Sequence, residues 1–211
     1  MHDQTAQIEW NGPVPVSTTF DDPYFSLQNG LEETQHVFLD GNDLPARFCA
    51  GFHVAELGFG TGLNFLATLA AFRAAGVPGK LHFTSFEAFP MSPKDRAAAL
   101  AHFPNLPLDG LDRADDVELT IVEGDARVTL PAWDGQADTW FLDGFSPAKN
   151  PELWEAGLMA AVADHLKPGG TLATYTAAGH VRRALQDAGL DVARVPGFGR
   201  KRHMTRARKP V

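Results

Sequence analysis

One carboxylate stands where a buried strand would end. Residues 137–143, ADTWFLD, have the apolar and aromatic character of such a strand, and the turn residues GFSP follow Asp143 at once. A carboxylate beside so much apolar surface needs a partner, a ligand or a shifted pKa. Asp143 is therefore the first candidate for chemistry, and three interpretations compete for it.

The first interpretation is a serine hydrolase, because GFSPA differs from the G-x-S-x-G nucleophile elbow only at Ala148. It fails because the residue after the nucleophile must donate a backbone N–H to the oxyanion, and Pro147 has none. The second is a plain turn in which Asp143 bonds its own loop. The third is an active-site group that, beside Phe145, holds an amine or ring nitrogen for a bound reactant.

A glycine-rich turn supplies a place for that reactant. In VAELGFGTGLNF, residues 54–65, Glu56 comes near the end of a strand, and three glycines follow before a helix. Glycine lets the backbone approach a ligand closely. The dinucleotide fingerprint G-x-G-x-x-G would need a glycine where Leu63 stands, and Glu56 would repel a pyrophosphate but suits an amino group or a sulfonium. Besides a merely structural turn, the pattern resembles the nucleotide loop of class I S-adenosylmethionine-dependent methyltransferases.

Two further acids suit the same ligand. Glu87 closes the next strand, where such methyltransferases place a carboxylate that accepts both ribose hydroxyls; a solvated strand end is the alternative. Asp125, in VEGDAR, is similar to the residue that binds the adenine amino group in these enzymes. A turn and helix cap explain GDAR equally well.

Strands and helices alternate from residue 52 onward, and they must position these groups. Strands are predicted at 52–57, 81–87, 117–124, 137–143 and 171–176, the last after a KPGG turn. Helices are predicted at 62–76, from a Ser92-Pro93 start to residue 103, at 151–166 and at 180–189. Such alternation implies a mostly parallel sheet with helices on both faces.

The C-terminal stretch completes the fold class. Residues 190–208 read as two strands joined by a GFG turn, which is too short for a crossover, so the pair must be antiparallel. We therefore predict an α/β, Rossmann-like class I methyltransferase fold with a mostly parallel seven-stranded sheet and an antiparallel C-terminal hairpin. In such a sheet ligands bind at the carboxyl ends of the strands, where Asp143 would face the cofactor.

The first fifty residues have a different character. Turn signals such as DDP, NG and DGND predict that residues 1–50 form an extension of short strands and loops, packed on a catalytic domain of residues 51–211. With 211 residues and 44% apolar composition, the chain suits one globular domain.

Composition excludes several classes of function. The first residues contain no basic start followed by an apolar core, and no stretch approaches the ~18 apolar residues of a membrane span, which predicts a cytoplasmic protein. The eight histidines are scattered, and the single cysteine, Cys49, has apolar neighbours. We therefore expect no metal site and a buried, unreactive thiol.

Charge is distributed unevenly along the chain. The net charge is −8, but residues 200–211 contain six basic residues and no acid. The RKRHMTRARK segment is consistent with a charged edge strand or with a patch that contacts phosphate. The two are compatible, since an edge strand can present such a patch.

Five segments carry a closer resemblance, namely residues 20–48, ELGFGTGLNFL, FEAFPMSP, WFLDGFSPAKNPELW and GFGRKRHM. Over residues 14–204 the chain resembles the methyltransferase half of the bacterial tRNA 5-methylaminomethyl-2-thiouridine biosynthesis proteins. The resemblance implies methyl transfer from S-adenosylmethionine to the aminomethyl nitrogen of the wobble uridine in certain tRNAs. It also places Asp143 at the position of the family's proposed catalytic aspartate.

The resemblance and the charge distribution together suggest the members of the site. The expected cofactor-binding residues are Glu56, Gly58, Phe59, Gly60, Thr61, Gly62, Asn64, Glu87, Ala88, Asp125, Ala126 and Asp143. The expected substrate-binding residues are Phe145, Lys149, Arg200, Lys201 and Arg202, since lysine and arginine contacts with phosphate dominate RNA affinity. Tyr24 and Phe25 are candidates for stacking on a splayed base, with core packing as the alternative.

One departure from the family concerns the supply of substrate. In two-domain members a flavin-dependent oxidoreductase follows and makes the aminomethyl group, whereas this chain stops at Val211. We expect a stand-alone methyltransferase or a truncated two-domain protein, with tRNA and a separate oxidoreductase as partners. The alternatives are a small-amine methyltransferase, an aminopropyl transferase, and a non-catalytic RNA-binding subunit that retains the cofactor pocket.

Overall fold

The computed structural model describes residues 5–26, 30–112 and 114–211. Its strands are β1 (Ile8–Asn11), β2 (Val14–Ser17), β3 (Asp22–Pro23), β4 (His53–Leu57), β5 (Leu81–Glu87), β6 (Val117–Glu123), β7 (Ala137–Leu142), β8 (Leu166–Thr174), β9 (Asp191–Pro196) and β10 (His203–Arg208). Its helices are α1 (Gly30–Thr34), α2 (Leu63–Ala75), α3 (Pro93–Leu100), α4 (Ala126–Thr129), α5 (Ala156–Asp164) and α6 (Gly179–Asp187).

A seven-stranded sheet of order β6-β5-β4-β7-β8-β10-β9 forms the centre of the fold. The strands from β6 to β8 are parallel, whereas β10 is antiparallel to both β8 and β9. The predicted fold class is confirmed. Leu57 of β4 pairs with Phe86 of β5 and with Leu142 of β7. The residues that follow these three positions therefore lie together at the carboxyl ends of the parallel strands.

Helices cover both faces of this sheet. Phe83 and Phe141 belong to the hydrophobic cluster that includes residues of α2, whereas Phe86 and Trp140 belong to the cluster that includes residues of α5. Side chains of a strand alternate between the two faces. Because both faces are buried, the strands read in the sequence as nearly continuous apolar runs.

The residues before β4 form a small antiparallel sheet of β1, β2 and β3, followed by helical turns. α1 continues through a π-helical turn at Gln35–Leu39 and a 3-10 turn at Asp40–Asn42. The prediction of short strands and loops is wrong for these turns, because Val37, Phe38 and Leu39 are buried in the main core and tertiary burial overrides local turn signals. Asn29 of the predicted Asn-Gly turn lies outside the described residues, and the division at residue 50 remains a prediction.

Two predicted boundaries are also wrong. Instead of one helix from Pro151, a 3-10 turn covers Pro151–Trp154 and α5 begins at Ala156, because Glu155 between them is extended (φ −65°, ψ 149°). The predicted KPGG turn lies within β8, which begins at Leu166. The pairing of β7 with β8 shifts register there, as a β-bulge does when it takes up extra residues.

Two predictions about single features are corrected. Cys49 is exposed rather than buried, because it lies in the connection just before β4. β10 is not an edge strand, since it lies between β8 and β9, and β9 is the edge strand on that side of the sheet. Arg206 of β10 pairs with Asp43 at 2.8 Å, so its charge is partly neutralised within the fold.

Within the described residues, no helix is long and apolar enough to cross a membrane. The same residues contain no cluster of three His, Cys, Asp or Glu side chains that could hold a metal ion.

Candidate functional site

A cavity of about 950 Å³ opens at the carboxyl ends of β4, β5 and β7. Small-molecule sites usually have volumes of ~300–1,000 Å³. The walls come from the loop after β4 and from residues at the ends of the neighbouring strands. They also come from residues 20–26 and 30–38, which we call the N-terminal segment, and from the β9–β10 loop. Parallel α/β sheets bind ligands at this edge.

Residues 58–62 form the turn between β4 and α2. Gly58 and Gly60 have φ angles of +82° and +52°, a region that favours glycine. A Cβ on Gly58 would lie 3.2 Å from Cα of Gly144, and a Cβ on Gly60 would lie 3.2 Å from Cδ1 of Tyr24. The loop is therefore held closely between the segment after β7 and the N-terminal segment, with its backbone at the cavity wall.

Glu87 ends β5 and is 9% exposed. Its Oε2 accepts the backbone N–H of Gly60 at 2.9 Å, and its Oε1 accepts that of Phe89 at 2.7 Å. A carboxylate has about four acceptor positions, so Glu87 keeps capacity for hydroxyl donors. Burial raises the pKa of Glu87, while the backbone donors at Gly60 and Phe89 act in the opposite direction.

Asp125 is the N-cap of α4. Its Oδ1 accepts the backbone N–H of Arg127 at 2.9 Å, and the Arg127 guanidinium lies 2.6 Å from Oδ2. The side-chain hydrogen bond from Arg127 lowers the pKa of Asp125. The helix-cap interpretation therefore describes Asp125 in this structure. Asp125 and Ala126 also line the cavity, and a contact with adenine remains a prediction.

A polar network of four buried side chains and the partly buried Asp143 lies next to the cavity; we call Thr34, Glu56, Asn64, Ser85 and Asp143 the Asn64 network. Nδ2 of Asn64 donates to Oε1 of Glu56 at 3.0 Å and to Oδ2 of Asp143 at 2.7 Å. Oδ1 of Asn64 accepts the Thr34 hydroxyl at 2.8 Å, and Oε2 of Glu56 accepts the Ser85 hydroxyl at 2.7 Å. Burial and then the charge of Asp143 raise the pKa of Glu56 well above its ordinary value.

Asp143 follows β7 and lines the cavity. Burial raises the pKa of Asp143 to about 6, although hydrogen bonds from Gly144 and Asn64 and the charge of Lys201 act in the opposite direction. The Tyr175 hydroxyl donates to the Gly144 carbonyl at 2.8 Å and so holds the turn after Asp143. Asp143 is therefore a carboxylate with a raised pKa that lies beside the glycine loop.

Aromatic rings form the wall beyond Asp143. Phe145 stacks on Phe20 with ring centres 4.7 Å apart, and Tyr24 meets Phe145 edge-on at 5.1 Å. Tyr24 lines the cavity. Phe25 is 8% exposed, packs edge-on against Phe103 at 5.4 Å and also lines the cavity, so its stacking on a base remains a prediction.

Two of the predicted phosphate-binding residues are already paired with acids of the N-terminal segment. Nζ of Lys149 lies 3.3 Å from Asp21 Oδ2 and 3.7 Å from Asp22 Oδ1. Nζ of Lys201 lies 2.7 Å from Glu33 Oε1. These pairs join the loop after β7 and the β9–β10 loop to the same segment.

Arg200 and Arg202 have more open surroundings. Both are exposed, and neither forms an ion pair with any of the described residues. Arg200 lines the mouth of the cavity. Of the predicted basic residues, these two are the better placed to contact an external phosphate.

A family model matches the part of the chain that carries β6, β7 and the C-terminal strands. The model describes an S-adenosyl-L-methionine-dependent methyltransferase, and it matches residues 96–210, more than half of the chain. This chain belongs to the S-adenosyl-L-methionine-dependent methyltransferases.

Several known proteins are similar to this methyltransferase. The tRNA 5-methylaminomethyl-2-thiouridine biosynthesis bifunctional protein MnmC of Chromobacterium violaceum is 44% identical over 223 residues, which cover 95% of this chain and 34% of that protein. The chain thus spans about a third of the length of that relative. The crystal structure of MNMC2 from Aquifex aeolicus is 25% identical, has a TM-score of 0.76 and covers 100% of this chain and 73% of that chain.

A more distant likeness shows the fold alone. CalS10, an amino pentose methyltransferase from Micromonospora echinaspora solved with bound SAM, is 15% identical with a TM-score of 0.51, over 88% of this chain and 92% of that chain.

The residues of the cavity fit S-adenosylmethionine, the cofactor of the family. Glu87 has acceptor positions left for two ribose hydroxyls, given that two backbone N–H groups occupy the others. Gly58 and Gly60 hold φ angles that other residues rarely adopt, so the loop backbone can lie against a ligand. The cavity is also large enough for a nucleoside and an acceptor side by side.

Most of the predicted site residues line the cavity of this methyltransferase: Gly58, Phe59, Gly60, Thr61, Asn64, Glu87, Ala88, Asp125, Ala126, Asp143, Phe145, Arg200 and Lys201. Glu56, Gly62, Lys149 and Arg202 are not among the described residues that line it. Gly62 is the N-cap of α2, and Glu56 is fully buried behind Asn64. Ligand contact remains a prediction for every one of these residues.

The cavity wall contains many residues outside the predicted site. Four of them contact predicted site residues, namely Phe20, Glu33, Thr34 and Tyr175. Glu33 and Thr34 lie in α1, which was not predicted. Phe20, Glu33 and Thr34 belong to residues 20–48, a segment that resembles the family. That resemblance was the only feature of the sequence that could have indicated their place in the site. Tyr175 follows the carboxyl end of β8, as Asp143 follows that of β7.

Proposed function

We propose that this methyltransferase transfers a methyl group from S-adenosylmethionine to the aminomethyl nitrogen of 5-aminomethyluridine or 5-aminomethyl-2-thiouridine at the wobble position of tRNA, giving the corresponding 5-methylaminomethyl nucleoside. The observation that carries the proposal is Asp143, which lines the cavity beside the glycine loop. The 44% identity to the bifunctional tRNA biosynthesis protein over 95% of this chain supports the same substrate.

The acceptor in this proposal is a primary amine, and Asp143 suits it. A carboxylate accepts hydrogen bonds from N–H groups and attracts an ammonium. Asp143 can therefore orient the nitrogen toward the methyl group. In-line positioning of two reactants can be worth up to ~7–11 kcal/mol of the barrier. Bound S-adenosylmethionine supplies the electrophilic methyl group, and its sulfonium charge disfavours a protonated amine nearby.

Deprotonation of the amine limits what Asp143 can do as a base. An alkylamine with a pKa near that of lysine, ~10.4, is unprotonated in only about one molecule in two thousand at pH 7, a cost of roughly 4–5 kcal/mol. Burial raises the pKa of Asp143 to about 6, which brings it closer to the amine but leaves it the weaker base. We therefore assign Asp143 mainly to orienting the nitrogen, with proton acceptance as a secondary role.

The proposed RNA partner has to approach the mouth of the cavity. Arg200 lines the cavity and is exposed, and Arg202 nearby in the chain is also exposed; phosphate contacts by such residues position RNA without reading its sequence. Phe145 and Tyr24 line the cavity and offer ring surfaces to a base turned out of its loop. A flavin-dependent oxidoreductase that makes the aminomethyl group is the proposed second partner, and work on tRNA implies a place in the cytoplasm.

Mass spectrometry of wobble nucleosides tests the proposal. tRNA that carries the aminomethyl nucleoside is incubated with the protein and labelled S-adenosylmethionine, then digested. We expect label in the 5-methylaminomethyl form of the wobble uridine, with or without its 2-thio group, and in no other nucleoside. Absence of label under all conditions, with cofactor binding intact, would favour a non-catalytic RNA-binding subunit instead.

A small-amine methyltransferase is the second candidate. The observation that favours it is the pairing of Lys149 and Lys201 with acids of the N-terminal segment, which reduces the positive charge open to RNA. Salt separates the two functions. Activity on tRNA should fall steeply as salt rises, because phosphate binding releases counterions, whereas activity on a small acceptor should change little.

A further inference from the structure

Asn64 was expected to bind the cofactor, but its side-chain N–H groups are already used. Its Nδ2 donates to Glu56 at 3.0 Å and to Asp143 at 2.7 Å, and its Oδ1 accepts from Thr34 at 2.8 Å. A side-chain amide has two N–H donors. A ligand could gain a donor from Asn64 only if the buried bond to Glu56 or the partly buried bond to Asp143 were broken, which is costly.

We propose that Asn64 is a positioning residue, which orients the Asp143 carboxylate toward the acceptor nitrogen, and that Thr34 and Glu56 hold the Asn64 amide in that orientation. The proposal deepens the methyl transfer described above and rests on the role of Asp143 in it. It assigns Glu56 to the support of Asn64 rather than to direct contact with the cofactor.

The geometry explains how such support works. Asn64 binds Oδ2 of Asp143, so rotation of the carboxylate is restricted and the remaining acceptor positions keep a fixed direction. Thr34 and Glu56 bind opposite ends of the Asn64 amide, and so they define which end faces Asp143. The hydroxyl of Ser85 in turn holds Glu56. Every member therefore has a partner, as buried polar networks require.

The network also gives the N-terminal segment a part in the site. Thr34 is the last residue of α1 and is 4% exposed. Its hydroxyl reaches Asn64 at the start of α2. A shift of α1 would therefore change the orientation of Asn64 and, through it, that of Asp143.

Other charged groups face Asp143, and they must be kept constant in any test. Glu56 lies behind Asn64, while Glu33 and Lys201 act on Asp143 from α1 and from the β9–β10 loop. Tyr175 follows β8, and burial and the charge of Asp143 both raise its own pKa. Substitutions at Asn64 and Thr34 leave these four groups in place.

Kinetics of Asn64→Leu, Thr34→Val and Thr34→Ser test the proposal in the full chain with aminomethylated tRNA. For Asn64→Leu we expect a kcat about 10- to 100-fold lower, with cofactor affinity by calorimetry within a few fold of the parent. The acid limb of the pH profile should move up by about one unit, because Asp143 loses a donor that favours its charged form. Thr34→Val should lower kcat and move the acid limb up, as Asn64→Leu does. Thr34→Ser should bring kcat and the acid limb back toward the parent values.

A titration of Asp143 tests the network without any need for activity. The carbon-13 signal of its carboxyl group, identified by its loss in Asp143→Asn, should titrate near pH 6 in the parent and higher in Asn64→Leu. A parent that methylates no tRNA would refute the proposed function, while this titration would still decide the network. If Asn64→Leu does not fold, Thr34→Val against Thr34→Ser gives the same comparison.

Two results would overturn the proposal. One is an Asp143 titration midpoint that is the same in the parent and in the folded variants. The other is a loss confined to cofactor affinity, with kcat and the acid limb unchanged at saturating cofactor. A loss of thermal stability without a change in the acid limb also counts against it, because that result describes a merely structural side chain.

Discussion

The two sides of the cavity are built differently. The side that we assign to the cofactor (residues 58–62, 87–89 and 125–126) is formed by loops at the ends of neighbouring parallel strands, as in the backbone N–H of Gly60 that binds Glu87 at 2.9 Å. The side that we assign to the acceptor (residues 20–26, 30–34, 143–150 and 198–202) is assembled from segments far apart in the chain. Asp22 Oδ2 accepts the backbone N–H of Ser146 at 3.1 Å, and Lys201 pairs with Glu33 at 2.7 Å.

Because of this difference, salt and pH should affect the two sides of the cavity unequally. The hydrogen bond between Gly60 and Glu87 is partly buried and joins the loop after β4 to the end of β5, so solvent and salt screen it less than a surface ion pair. The side chain of Lys201 is 47% exposed, and exposed pairs contribute only ~0–1 kcal/mol each and weaken with salt. Cofactor binding should therefore tolerate salt and pH better than acceptor binding does.

The largest expected effect belongs to Asp143. Asp143→Ala should reduce kcat by about 100- to 10,000-fold and leave cofactor affinity within a few fold, because it removes the group that orients the amine but not the nucleotide pocket. Single-turnover methyl transfer and calorimetry measure the two quantities. If Asp143→Ala and the parent turn over equally, Asp143 has no part in the mechanism and the acceptor side lies elsewhere.

The same residue predicts a pH dependence for the parent. Since burial raises the pKa of Asp143 to about 6, its carboxylate gains charge as the pH rises through 6. The rate kcat/KM should rise with it, and this limb should be missing in Asp143→Asn. Cofactor affinity measured over the same pH range should change much less, which separates the two sides of the cavity in one experiment.

Glu87→Ala should have the second largest effect, which should be on cofactor affinity rather than on kcat. Loss of charge-assisted hydrogen bonds to the ribose should raise the cofactor Kd by about 10- to 100-fold. At saturating cofactor, kcat should stay near that of the parent, because Asp143 and its partners are untouched. Glu87→Gln is the matched control, since it keeps one carbonyl acceptor and should lose less affinity. An unchanged Kd in both variants would show that Glu87 does not face the cofactor.

The two sides also differ in how far the sequence predicts them. Glu87, the glycine loop and Asp143 were predictable because strand ends of a parallel sheet meet at one edge. The bond between Thr34 and Asn64 was not, because it depends on α1 and the turns after it, and those formed through burial of residues such as Phe38 rather than through local signals. The partners of Lys149 and Lys201 were missed for the same reason, since tertiary packing brings those acids to them.

The basic residues of the rim should show smaller effects that differ from one another. Arg200→Met should raise the KM for tRNA and reduce the slope of log affinity against log salt by about 0.7–0.9, the loss of one phosphate contact. Lys149→Met should change the slope less, because Lys149 already pairs with Asp21 and Asp22. Filter binding over a salt series measures both. Equal slopes for Arg200→Met and the parent would remove Arg200 from the RNA surface.

The smallest expected effect lies away from both sides of the cavity. Arg73, near the end of α2, lies 2.6 Å from Asp109 and 2.7 Å from Asp116. The pairs are partly exposed, so Arg73→Met should cost at most about 1 kcal/mol and lower Tm by roughly 2–4 °C. Its kcat and cofactor Kd should equal those of the parent, which makes it a control for changes that act through stability alone.

The contribution of Arg73 to stability should depend on pH in one direction. Hydrogen bonds from Arg73 lower the pKa of Asp109 and of Asp116, so their contribution to stability is present above the ordinary aspartate pKa of about 3.9 and is lost as the pH falls through the lowered values. The difference in Tm between parent and Arg73→Met should therefore be constant near neutral pH and disappear in acid. A difference that persists unchanged in acid would mean that Asp109 and Asp116 do not carry the contribution of Arg73, and a change in kcat would mean that the far end of α2 is coupled to Asn64 at its beginning.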